Sequence, residues 1–273
     1  MPGAIGTAGA ALLPWLGIVA LGLVALSLAL ARRTLFLVLV PLVVWAIAIA
    51  PSLPTPQTAP SAASLTIVSQ NVRAHSGGAG ASAQELAETG ADVIALVELD
   101  GDSLVAASEA LAERYPHSYA VGTVGVWSRY PLVTAEPLTL GLDWKHALRV
   151  TVDGPESEIA VYVLHAASVR PGHQDGRDTM LEGLARTVTA DSAGSLVVVG
   201  DFNAASTDPA MNTLRSGMDW VRPTDGSLGL TWPAAFPLAR IDQVFARGVT
   251  VLSSTTVHAG SSDHLATKTV IGG

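Results

Sequence analysis

The first fifty residues contain no acidic side chain and only two basic ones, Arg32 and Arg33, set next to each other. An apolar stretch of that length cannot be wrapped by a water-soluble fold, so the chain divides into a membrane part and a separately folded remainder. Residues 11–31 are free of charge until Arg32. At ~1.5 Å per helical residue they reach ~31 Å, enough for a ~30 Å hydrocarbon layer. A second apolar run, residues 35–50, is shorter, contains Pro41 and carries Trp45 near its far end, where interfacial aromatics sit. The pattern predicts a transmembrane hairpin with Arg32 and Arg33 at its tip.

Short basic loops stay on the cytoplasmic side, so both ends of the hairpin and everything after residue 50 are expected outside the cytoplasm. The rival reading is a long cleaved signal sequence, supported by the small residues Ala48 and Ala50. Two spans and the lack of a basic extreme N-terminus count against it. The expected location is therefore the plasma membrane, multi-pass, with the folded domain extracytoplasmic.

Residues 51–64 are rich in Pro, Ser, Ala and Thr and uncharged, the composition of an extended tether. A folded domain is expected over residues 65–273. With the two loop arginines set aside, 13 of the 15 basic residues face 23 acidic ones, a net charge near −10. Such a domain lacks the broad basic footprint of a protein that grips long nucleic acid. There is no cysteine, which excludes a disulfide framework and a thiolate metal site.

Apolar, β-branched runs at residues 65–72, 93–97, 121–127, 148–152, 159–164, 196–199, 241–245 and 249–256 read as strands. Helical segments are expected at 82–88 with Ser82 as cap, at 103–114, at 177–189, and at 209–215 opened by Asp208 and Pro209. Residues 77–80 read as a flexible loop, and no repeat or heptad is present. The mixture predicts sheets covered by helices.

Several of these strands finish in polar groups: Asn71, Glu98, His165, then Asp201 and Asn203 after the run Val197, Val198, Val199, Gly200. Asp242 opens a further strand, and Asp263 and His264 follow Ser262. Side chains two apart share a face in extended chain, so Asp201 and Asn203 are expected on one side and Phe202 on the other. Singly, each polar residue has a plain structural explanation as a turn or edge residue. Converged, four carboxylates would repel strongly, at ~4 kcal/mol for a pair of unit charges 4 Å apart in an effective dielectric of 20. A divalent cation would relieve this. Oxygen and amide ligands suit a hard ion, Mg²⁺, Mn²⁺ or Ca²⁺. His165 and His264 add proton donors near neutral pH, a set suited to phosphate ester hydrolysis.

The segments Ser69-Gln70-Asn71-Val72, residues 91–98 ending in Glu98, Val163-Leu164-His165, Gly200-Asp201-Phe202-Asn203-Ala204, Arg240-Ile241-Asp242-Gln243 and Ser262-Asp263-His264 together resemble the endonuclease/exonuclease/phosphatase superfamily. The resemblance spans the outer domain. It implies an α/β (α+β) four-layer sandwich, two mixed β-sheets face to face with helices outside and the site at one rim. It also implies a metal held by Asn71, Glu98 and Asp263, a phosphate met by His165 and Asn203, and a water handled by Asp201. His264, oriented by Asp242, would stabilise charge or move a proton. Either Asp201 or His264 serves as general base; sequence does not choose between them.

Two positions depart from the family pattern. Arg73 stands where abasic-site nucleases of the family present an acidic residue, and it reads either as a cation beside the phosphate or as a solvated strand-end side chain. Val97 replaces a frequent glutamine. Trp232, shortly before Arg240, is expected at the rim as a substrate contact, while Trp127, Trp144 and Trp220 are expected to be packed. His75, His117, His146, His173 and His258 are read as surface or structural. The resemblance implies a phosphate-ester substrate, either nucleic acid, lipid headgroup or a small phosphoester; the membrane is expected to be reached through the hairpin, and no obligate protein partner is evident. The alternative from another class is a catalytically silent surface module that retains the fold.

Overall fold

The computed structural model describes residues 4–30, 32–58, 64–169 and 174–272. Two apolar helices come first, α1 (Ala4–Leu30) and α2 (Leu35–Ile49), joined through a 3-10 turn at Arg32–Thr34. With the 3-10 turns that flank α2 included, the spans Ile5–Leu30 and Arg32–Ser52 are long and apolar enough to cross a membrane. α1 begins well before the expected residue 11, and Ala31 lies outside the described residues. The helices pack closely: the Trp45 indole covers Gly17 and donates to the Leu13 carbonyl at 2.8 Å.

After the hairpin the elements run β1 (Ser64–Asn71), α3 (Ala79–Glu88), β2 (Val93–Val97), α4 (Gly101–Leu111), β3 (His117–Val121), β4 (Val124–Ser128), β5 (Leu132–Leu138), β6 (Ala147–Asp153) and β7 (Glu158–His165). They continue with α5 (Asp175–Ala190), β8 (Leu196–Asp201), α6 (Asn212–Gly217), the two-residue β9 (Asp219–Trp220), β10 (Asp242–Arg247), β11 (Thr250–Val257) and β12 (Ala266–Gly272). Two six-stranded sheets result, β11-β12-β1-β2-β4-β3 and β5-β6-β7-β8-β10-β9. In the first, β1 and β2 are parallel; in the second, β7 and β8 are. Both sheets are therefore mixed.

Central strands read as unbroken apolar runs because both faces are buried. In β2, Val93, Ala95 and Val97 enter the core between the sheets, whereas Ile94 and Leu96 pack toward α3 and α4. In β8, Val197 and Val199 face the inter-sheet core, and Leu196 and Val198 face the layer of α5 and α6. The order is helices, sheet, sheet, helices: the four-layer sandwich that the motif resemblance implies.

Several local expectations need correction. Residues 121–127 form not one strand but the end of β3, a turn at Gly122 and Thr123, and β4. Gly122 has φ of +57°, which reverses the chain without a side-chain penalty. The expected loop at 77–80 is half helix, since α3 starts at Ala79 with Gly78 before it; Ser82, expected as the cap, is buried inside the helix. Asp100 caps α4 through the Ser103 N–H instead, and Asp208 accepts from the Ala210 N–H as expected. β5 escaped the strand pattern because it is largely solvent-facing and contains Pro137. Residues 53–58, read as a tether, bond to the domain through the N–H groups of Thr55 and Thr58, which donate to Pro223 and Leu252. Residues 59–63 and His173 lie outside the described residues.

Candidate active site

The parallel pairs direct their carboxyl ends to one rim, as open sheets do at ligand sites. Asn71 ends β1, and its register partner is Val97, so Glu98 emerges one residue beyond it. On the other sheet, Asp201 pairs with both His165 of β7 and Asp242 of β10. The two rims meet where Asn71 Nδ2 donates to Asp201 Oδ2 at 3.0 Å.

β8 does not run on in extended form to Asn203. Asn203 has φ of +47°, and its N–H donates to Asp201 Oδ1 at 2.8 Å, an Asx-type turn. The expected shared face in extended chain is therefore corrected: a tight turn folds the Asn203 backbone N–H back onto the Asp201 carboxylate. Phe202 packs away from the site against Phe245, as expected. The Asn203 amide donates to the Ala166 carbonyl, and its own carbonyl accepts from Arg177 at 3.1 Å. Arg73 and Glu98 also take positive φ, +57° and +62°. Non-glycine residues in that region cost about 1–3 kcal/mol each and cluster at functional sites.

Asp242 Oδ2 and His264 Nδ1 lie 2.9 Å apart, both side chains buried. Ligand atoms of Asp201, Asp242 and His264 all fall within 4.8 Å of one another. Around them, Ser262 Oγ donates to the Asn71 carbonyl and accepts from the His264 N–H. Gln70, fully buried, donates to the carbonyls of Ala259 and His264. Thr231 Oγ1 accepts from the Asp242 N–H. These braces were missed as functional side chains; buried polar residues inside apolar strands were the available signal.

Burial, with the Asp242 charge second, pushes the Asp201 carboxyl up to about 7 against the opposing pull of His264, Asn203 and Asn71. Burial lowers His264, but the charge and hydrogen bond of Asp242, with Asp201 and Asp263, outweigh it and raise the imidazole to about 9. His165 falls to about 4, chiefly through burial and then through His146 and His264. Its Nδ1 lies 3.2 Å from the Thr123 hydroxyl, and its ring stacks on His146 at 5.5 Å, which in turn stacks on Trp144. His146, read as structural, thus forms one wall of the His165 niche.

Glu98 and Asp263 hold carboxylate oxygens without protein partners. Asp263 Oδ1 is buried and unpaired, and no hydrogen bond or ion pair involves the Glu98 carboxylate among the described residues. Unpaired carboxylate oxygens fit a hard divalent cation. The Asp242–His264 pair fits one less well, because each already engages the other. Arg73 is exposed; its N–H donates to Asn71 Oδ1 and its carbonyl accepts from the Ser76 N–H. Trp232 is 41% exposed and Trp144 51%, so Trp144 is not packed as expected, whereas Trp127 is buried and Trp220 donates to Gln243.

A two-sheet sandwich with a buried Asp–His pair and free carboxylates at its rim has side chains suited to holding a hard cation beside a proton-transfer pair. The model of the endonuclease/exonuclease/phosphatase family matches residues 68–264, and the chain belongs to that family. Its enzymes hydrolyse phosphate esters with divalent metals, and this protein is an enzyme of that class. Similar solved structures include D. rerio TDP2 complexed with a single-strand DNA product, at TM-score 0.66 and 17% identity, covering 77% of this chain and 99% of that one. Sphingomyelinase C from Streptomyces griseocarneus follows at 0.57 and 17%, covering 76% and 99%. An endonuclease/exonuclease/phosphatase family protein from Leptotrichia buccalis C-1013-b gives 0.60 and 16%, covering 77% and 100%. No curated protein matches the chain.

Proposed function

We propose that the protein is a membrane-anchored, extracytoplasmic phosphodiesterase in which Asp201, Asn203, His165 and the Asp242–His264 pair act on phosphorus. The observation that carries this reading is the Asp201 carboxylate, held by Asn71 and Asn203 beside a buried Asp–His pair. Arg32 and Arg33 at the hairpin tip support the outward placement of the domain. Glu98 and Asp263, together with Asn71, are assigned the cation, Mg²⁺ or Mn²⁺ in preference to Ca²⁺, which when bound would polarise a phosphoryl oxygen and offset developing charge.

The chain's own residues do the rest. Asp201, its proton affinity raised by burial and by the Asp242 charge, orients the attacking water and takes its proton. His165 is neutral; with Nδ1 held by Thr123, Nε2 is left to meet the phosphate. The Asn203 turn presents its amide to the same group. His264, charged and fixed by Asp242, stabilises the negative charge that builds during in-line displacement and returns a proton to the leaving oxygen. Arg73 and Trp232, both exposed, border the substrate.

Full-length protein in detergent is expected to hydrolyse bis(p-nitrophenyl) phosphate with Mg²⁺ or Mn²⁺ and to stop with EDTA. Asp201→Ala and His264→Ala each lower kcat by about 10²-fold or more. Unchanged turnover in either variant would remove that residue from the mechanism.

A further inference from the structure

The 231–239 loop exposes three large apolar side chains: Trp232 at 41%, Phe236 at 66% and Leu238 at 38%. It is bonded on two sides. Toward the site, Thr231 accepts from the Asp242 N–H, and the Ala234 N–H donates to the Asp263 carbonyl at 2.7 Å. Toward the hairpin, the Trp15 indole donates to the Leu238 carbonyl at 2.8 Å. α1 is also fastened to the domain where Arg177 donates to the Thr7 hydroxyl and Thr207 donates to the Ala10 carbonyl.

The depth of this loop follows from helix geometry. From Leu30, next to the arginine turn, back to Trp15 is about 22 Å of helix at ~1.5 Å per residue. A hydrocarbon layer is ~30 Å deep, so its outer boundary falls near Ala10, beyond Trp15. Leu12, Leu16, Ile18 and Val19 around that level are exposed and apolar, as lipid-facing side chains are. The loop bonded to Trp15 therefore reaches ~7.5 Å below that boundary, into the outer leaflet, while its other edge frames the site.

We propose that the 231–239 loop seats Phe236 and Leu238 in the outer leaflet and that the enzyme takes the phosphodiester headgroup of a lipid in its own membrane. This rests on the reading of the chain as a membrane-anchored hydrolase. Water adds to phosphorus and one P–O ester bond breaks. One water proton ends on the leaving alcohol, and the other is released or stays on the phosphomonoester. The outer domain's net charge near −10 disfavours a polyanionic nucleic acid at the same face and favours a zwitterionic headgroup.

The full chain in phosphatidylcholine vesicles tests both parts. Because the chain has no cysteine, Phe236→Cys offers a single thiol for a polarity-sensitive fluorophore. Its emission is expected to shift blue and to be quenched by doxyl-labelled lipid; quenching by aqueous iodide alone overturns the seating. In the second arm, Phe236→Glu with Leu238→Glu is expected to lower phosphomonoester release from vesicle lipid at least tenfold while detergent turnover of bis(p-nitrophenyl) phosphate stays within twofold. Wild-type protein that cleaves the soluble diester but no vesicle lipid, or that cleaves nucleic acid in its place, overturns the lipid inference alone. Wild-type protein that cleaves neither overturns the catalytic reading beneath it. The labelled variant needs no turnover and decides the seating if the double variant does not fold.

Discussion

Replacing Arg177 by methionine removes a guanidinium that is 1% exposed and serves four partners at once. It donates to Asp208 at 2.9 Å, to Asp178, to the Asn203 carbonyl and to Thr7 of α1. The pairs are unequal. Asp178 is 37% exposed, and an exposed pair contributes at most about 1 kcal/mol. Asp208 is 3% exposed, and stranding one charge of a buried pair costs about 3–5 kcal/mol. The expected loss is therefore about 4 kcal/mol, dominated by Asp208. At about 2–4 °C per kcal/mol for a domain of this size, Tm falls by about 8–16 °C, read by thermal unfolding in detergent. Adding Asp208→Asn removes the stranded charge and keeps the cap on Ala210, so the double variant should recover at least about 1.5 kcal/mol relative to the sum of the singles. Strict additivity, or a single-variant loss below about 1 kcal/mol, would refute the assignment of this pair as the anchor of the Asn203 turn.

Two further outcomes follow from other parts of the fold. At Asp191, burial acts to raise the pKa, but hydrogen bonds from Arg149, Tyr162 and the Ala193 N–H outweigh it and hold the carboxyl at about 2. A depressed carboxylate contributes fully above its unfolded value of about 3.9 and loses that contribution as pH falls through about 2. Asp191→Asn should thus cost about 1–3 kcal/mol at pH 7, with the gap to wild type closing between about pH 4 and pH 2 in parallel melts; a gap that widens on acidification refutes this. Gly200 has φ of +135°, and a Cβ there would overlap the Leu164 carbonyl on the neighbouring strand. Gly200→Ala should destabilise by more than about 2 kcal/mol and abolish diester turnover, and a variant as stable and active as wild type would show that β7 and β8 do not need this close approach.

Much of the molecule is written locally. The unbroken apolar runs of β2 and β8, the uncharged hairpin and the Asp208 cap are each contained in a short window of sequence, which run length and capping chemistry capture. The failures have local causes too. Glycine at 122 split one apolar run into two strands. The exposed edge strand β5 lacks an apolar face to give it away. Ser82 stands inside a helix because Gly78 and Ala79 can begin one earlier.

What the sequence determined by itself was the inventory: two apolar spans, a cysteine-free acidic domain, and strand ends bearing Asn71, Glu98, His165, Asp201, Asp242 and His264. What only the tertiary structure decided was which of these groups meet. Asn71 reaches Asp201 across 130 residues, Arg177 holds the Asn203 turn, and His146 walls in His165. Trp15 binds the rim loop from 223 residues away. Such pairings depend on how two sheets close over a common core. Because burial then sets both hydrogen-bond partners and proton affinities, the poise of Asp201 and His264 exists only once that core has formed.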